Sequence, residues 1–164
     1  MKRFLSSLLA GIGISQSAIP AEPAKPEDKW MVGRTEDAGQ TVIIRALLAL
    51  PDAASRKGFV WLMTISWDYT PREGGMPTTE VHKQMNDLED TIEQKLEATK
   101  LCIQTVSRTG NGKKQWEYYI TDREQFLKAF NELMRGKPQL PIKINFYEDA
   151  NWQSLRDIHK ATSK

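Results

Sequence analysis

The chain has 164 residues, of which 40% are hydrophobic and 27% charged, the balance of one ordinary globular domain with a core. Removing Lys2 and Arg3 from the 23 basic residues leaves 21 against 21 acidic ones, and a formally neutral domain is a poor general polyanion binder. Cys102 is the single cysteine, so no internal disulfide forms, and within an apolar strand pattern it reads as a small buried hydrophobe. His82 and His159 offer no Cys/His metal spacing, and no cofactor is expected.

Residues 1–21 have the three parts of a secretory signal: Lys2 and Arg3, an apolar stretch from Phe4 to Ile14, and small residues around Ala18 and Ala21. The apolar stretch falls short of the roughly 20 residues of a transmembrane helix, so cleavage, with no membrane span left afterwards, is the expectation. Residues 22–29, EPAKPEDK, read as a solvated linker, and residues 30–164 as a single domain. The chain is therefore expected to be periplasmic or secreted, or cytoplasmic if the N-terminus is retained.

WMVGRTE and QTVIIRALLAL are β-rich and separated by Asp37-Ala38-Gly39, which predicts an opening hairpin. FVWLMTISW, residues 59–67, is a nearly continuous apolar run suited to a central strand, and both of its faces are apolar at the start. From Thr78 to Glu97, Val81, Met85, Leu88, Ile92 and Leu96 form one stripe of a helix, with Thr78 as N-cap. LCIQTVS and KQWEYYI flank Gly110-Asn111-Gly112 as two strands. Asn-Gly is a hairpin signal, whereas a phosphate loop would lead into a helix.

In the second of these strands Trp116, Tyr118 and Ile120 should pack under helices, leaving Gln115, Glu117 and Tyr119 on an open face. One tyrosine beside a carboxylate is a poor base-stacking platform, which disfavours nucleic acid as a partner. Arg108, Lys113 and Lys114 read as solvated residues near the hairpin tip. Thr121 and Glu124 form a capping box for a second helix carrying Phe126, Phe130 and Leu133, which Gly136 stops. LPIKINFY alternates as a strand covered on one side, with Pro141 at an edge or at its start. A short helix with Trp152 and Leu155, capped by Asp149, follows.

From residue 59 the order is strand, helix, strand, strand, helix, strand. This is the ferredoxin-like βαββαβ two-layer α+β pattern, with the N-terminal hairpin extending the sheet or covering its open face.

ISWDY at 65–69, GGMP at 74–77, MNDLEDTIE at 85–93, TGNGKKQWEYY at 109–119 and YEDANW at 147–152 resemble the bacterial family known as domain of unknown function 695. The likeness covers roughly residues 30–152. It implies a fold and no catalytic residues, and a comparison with regulators of ribonuclease E activity implies a ribonuclease-regulator-like role if the chain is cytosolic.

The candidate ligand-binding residues are Asp68, Gly75, Met76, His82, Glu89 and Tyr119, grouped around the GGMP loop, the first helix and the open face. Glu89 sits at the margin of the apolar stripe, where burial and bonds to backbone amides of the GGMP loop are expected; His82 reads as solvated. No residue is assigned a catalytic role. The leading expectation is a non-enzymatic module binding a protein partner or itself, and the alternative is a hydrolase or ligand-binding enzyme using carboxylates near GGMP. N-terminal sequencing of the native protein should find a start just after Ala18 or Ala21; an intact Met1 would overturn the export expectation.

Overall fold

The computed structural model describes residues 29–162; the expected signal segment and all of the linker but Lys29 lie outside the described residues. Six strands form one antiparallel sheet, and of the four helices among the described residues the three longer ones pack against it. β1 (Trp30–Asp37) and β2 (Gln40–Leu47) make the opening hairpin, and a short helix α1 (Ala53–Arg56) precedes β3 (Trp61–Asp68). After α2 (Thr79–Ile92) come β4 (Cys102–Gly110) and β5 (Lys113–Ile120), then α3 (Arg123–Met134), β6 (Ile142–Glu148) and α4 (Gln153–Thr162). The spatial order is β1-β2-β4-β5-β3-β6, so the opening hairpin extends the sheet by pairing β2 with β4. No described helix is long and apolar enough to cross a membrane.

Local chemistry explains the boundaries. Thr78 caps α2 by accepting from the Val81 amide at 3.2 Å, as the sequence suggests. α2 continues into a π-helical turn at Glu93–Glu97, which keeps Leu96 in the core. The cap of α3 is Asp122, not Thr121: its carboxylate accepts from the Gln125 amide at 2.7 Å, one residue later than expected. The Asp at this position supplies a charged acceptor at the positive end of the helix dipole. α1 was not expected, although Asp52 accepting from Ser55 gives it an N-cap of ordinary type.

Alternation sorts each strand onto two faces. On one side Met63, Ile65 and Trp67 of β3 join Cys102, Trp116, Tyr118 and Ile120 beneath Met85, Leu88 and Ile92 of α2 and Phe126 and Phe130 of α3. Trp61 has the same parity as Trp67 and packs against this core, under Arg123 at 4.1 Å from its ring. The face those two tryptophans share, unassignable from sequence, is the helix face.

The opposite face is where expectation and structure part. Tyr119 is fully buried there, because α4 lays Trp152 and Leu155 over Ala46, Val106 and Tyr119. The Trp152 and Tyr119 rings stack 3.9 Å apart and almost parallel, and the Trp152 indole donates to the Phe59 carbonyl at 3.0 Å. Asp149 caps α4 through the Gln153 and Ser154 amides and accepts from the Tyr119 hydroxyl at 2.6 Å. A β-bulge between Gln104 and Val106 shifts the register of β4 without breaking its pairing with β5.

Asn111 and Gly112 form a two-residue hairpin turn between the paired Gly110 and Lys113, at φ 49° and 74°, the left-handed pair that such turns demand. Gly110 has a different reason: a β carbon there would lie 2.2 Å from the Thr41 carbonyl oxygen. Gly110→Ala should therefore disrupt the β2–β4 junction and destabilise the protein by about 3 kcal/mol or more in urea unfolding, whereas Gly136→Ala, with open space around it, should cost about 1 kcal/mol.

Candidate functional site

The helix-side surface of β2, β4 and β5 changes character toward the hairpin extension. Arg45 stands opposite Ser107, and Thr109 opposite Lys114, so a polar strip replaces the apolar floor under α2. Between this strip and α2 lies an open cleft of about 730 Å³. Val32 and Ile43 form its outer wall, Met76 and Pro77 close one end, and His82, Asn86, Asp90 and Glu93 line the helix side.

Glu89 projects from α2 to the floor of this cleft and is only 7% exposed. Four side chains from three strands converge on it. Lys114 donates to Oε2 at 3.0 Å and the Trp116 indole to the same oxygen at 2.7 Å. Gln104 donates to Oε1 at 2.7 Å, and Arg45 makes an ion pair with that oxygen. Arg45 is also held 4.4 Å from the centre of the Trp30 ring. Burial pushes the Glu89 carboxyl upward, but Lys114, the Gln104 and Trp116 hydrogen bonds and Arg45 outweigh it, leaving the group below its ordinary value.

The burial of Glu89 matches the sequence reading, but its partners do not: the expected backbone amides of the GGMP loop are replaced by strand side chains. Lys114, read as a solvated turn residue, has a side chain only 7% exposed, and Arg108, read likewise, is paired with Glu117; Lys113 alone of the three is solvated. A usable signal was present. Lys114 shares the parity of Trp116, Tyr118 and Ile120, and a lysine on the inward face of a strand requires a carboxylate.

The sequence candidates separate into four places. Met76, His82 and Glu89 come together in the cleft, with His82 exposed on its rim. Gly75 lies behind it at φ 83°, its carbonyl accepting from the Tyr69 hydroxyl at 2.9 Å and the Gly112 amide at 3.3 Å. It locks the GGMP loop onto the Asn-Gly turn. Asp68 sits at the end of β3 on the opposite sheet parity, bonded to Lys143 at 2.9 Å, a contact that lowers its carboxyl. Tyr119 faces α4, and burial together with its bond to Asp149 pushes its hydroxyl upward.

A second buried carboxylate occupies that other face. Glu117, 4% exposed, pairs with Arg108 and accepts from the Ser154 hydroxyl at 2.7 Å, tying α4 to β5. Among the described residues no group of three or more His, Cys, Asp or Glu side chains is placed to hold a metal ion. Cys102 is buried, and its thiol is pushed up by burial and then by Glu97, so it is not set up as a nucleophile.

Sheet, helices and cleft together define a small mixed α+β protein with a six-stranded antiparallel sheet. The chain belongs to the family of unknown function (DUF695), which matches residues 28–158. No curated protein and no solved structure matches it. The stretches that carry the resemblance meet in space: GGMP on the Asn-Gly turn, Glu89 on Trp116, and Tyr119 on Trp152.

Glu89→Gln should leave Lys114 charged and buried without a counter-ion and lower stability by about 3 kcal/mol. Because the folded carboxyl titrates below its ordinary value of 4.5, its contribution is fully present above that pH and is lost as pH falls through the lower folded value. Urea midpoints measured from pH 7 to pH 3 should therefore fall less steeply in Glu89→Gln than in the wild type.

Proposed function

We propose that the protein is a non-enzymatic binding module that receives an extended segment of a protein partner in the cleft between α2 and the strands β2, β4 and β5. The observation that carries this reading is the state of Glu89. Both of its oxygens are occupied by donors and its charge is already balanced, so it fixes Arg45 and Lys114 in place and has no lone pair disposed toward a substrate proton. The cleft around it combines an apolar wall, Val32, Ile43, Met76 and Pro77, with the hydroxyls of Ser107 and Thr109 and the amide of Asn86. Such a lining suits a peptide, whose side chains alternate between apolar and polar contacts.

The scaffold for this cleft is read as a ferredoxin-like core from β3 to β6, supported by the all-antiparallel order β4-β5-β3-β6 and by α2 and α3 sharing one face. The β1–β2 hairpin is then an addition that creates the cleft's outer wall. The signal-like residues 1–21 support action outside the cytoplasm, toward an exported or surface partner.

A random-peptide display library selected on the full chain tests the reading. Selected peptides should lose at least about tenfold in affinity on Ile43→Arg or Thr109→Trp and be unchanged by Leu48→Arg, an exposed site outside the cleft. Binders indifferent to Ile43→Arg, or a hydrolytic turnover abolished by Glu89→Gln in a folded protein, would overturn it.

A further inference from the structure

The outer edge of β1 lies away from the floor of the cleft and poses a separate problem. β1 is eight residues long, ends the sheet, and runs in unbroken register against β2 from Trp30–Leu47 to Asp37–Gln40. Long regular edges invite further pairing, and proteins blunt them with proline, bulges, inward charges or a covering segment. The opposite edge, β6, follows directly on Pro141 and carries Lys143 paired to Asp68. β1 has no proline and no bulge, and among the described residues no other strand pairs with its outer side. Val32 on this strand is 69% exposed.

The sequence of the edge is complementary to itself. In a two-fold antiparallel pair, residues opposite one another have numbers with a constant sum, and the axis passes through one residue set against its own copy. Centring the axis on Thr35 places Arg34 opposite Glu36 of the second copy, and Glu36 opposite its Arg34. Two ion pairs then flank a Thr–Thr pair, a cross-strand combination that favours the sheet. Arg34 and Glu36 lie on the helix side, since their β2 partners Ile43 and Thr41 have the parity of Arg45. Moving the axis one residue to Arg34 would set two arginines face to face, so charge disfavours that neighbouring register, and the Thr35 register sets each charge against its opposite.

We infer that β1 pairs with β1 of a second copy about Thr35, joining two six-stranded sheets into one of twelve. This association is independent of what occupies the cleft.

Sedimentation equilibrium on the full chain tests it. The wild type should be dimeric at micromolar concentration. Arg34→Glu and Glu36→Arg should each weaken the dimer by about tenfold or more, since each converts two attractive contacts into repulsive ones, and the double exchange should restore it to within about threefold. Thr35→Lys, which sets two cations on the axis at an exposed position, should give a monomer with unchanged circular dichroism. A wild-type monomer at about 100 μM would overturn the inference, as that is far above the Kd expected of a specific sheet-joining interface. So would a dimer that Thr35→Lys leaves intact, or single charge reversals that the double exchange does not rescue. The cleft reading stands or falls on Ile43→Arg, so failure of one does not carry the other.

Discussion

The carboxylate of Glu89 is the point at which α2, β2, β4 and β5 are held in one arrangement. A buried ion pair contributes little net stability when complete, because desolvation consumes most of the attraction, yet leaving any member alone is costly. The consequence is selectivity among packings more than raw stability. Arg45 reaches Glu89 only when β2 lies in its observed register on β4, and a slip of one residue would turn Arg45 to the α4 face. The four-stranded part of the sheet and its hairpin extension are thus matched by charge as well as by backbone pairing.

The two faces of the sheet are built on a common plan with different materials. Under α2 and α3 the floor is aromatic and aliphatic, and its polar strip appears at the margin of α2, where Glu89 reaches over Lys114. Under α4 the cover is narrow, carried by Trp152, Leu155 and Ile158, and anchored by Asp149, Ser154 and the stacked Tyr119. Trp152 holds this position at φ 58°, an unfavourable conformation for a bulky residue that persists because its stack and its bond to Phe59 over-determine it. The cleft lies where α2 and the β1–β2 hairpin stand apart on either side of the polar strip.

Much of this was legible in the sequence because it is local. The stripe from Val81 to Leu96, the Asn-Gly turn and the alternation of LPIKINFY each express a helical or strand period within a dozen residues, and the corresponding elements are present. Thr78 announced its cap; Asp122 was overlooked because Thr121 and Glu124 offered a competing pattern one residue earlier. What could not be read was long-range. Glu89 meets Lys114, Trp116 and Arg45 across separations of 25, 27 and 44 residues, and no spacing along the chain encodes such a meeting. The burial of Tyr119 is illegible for a related reason: the helix that covers it is amphipathic and short, and alternation in β5 says which face a residue takes but not what lies over it.

Because the cover of the second face comes from the last described element, the burial of that face depends on about ten residues that contribute nothing to its hydrogen-bonded ladder. Without them Ala46, Val106, Tyr119 and Leu62 would form an apolar surface interrupted by the Glu117–Arg108 pair and by Thr64 beside it. α4 therefore acts as a built-in shield. Any processing or truncation upstream of Trp152 would uncover this apolar face.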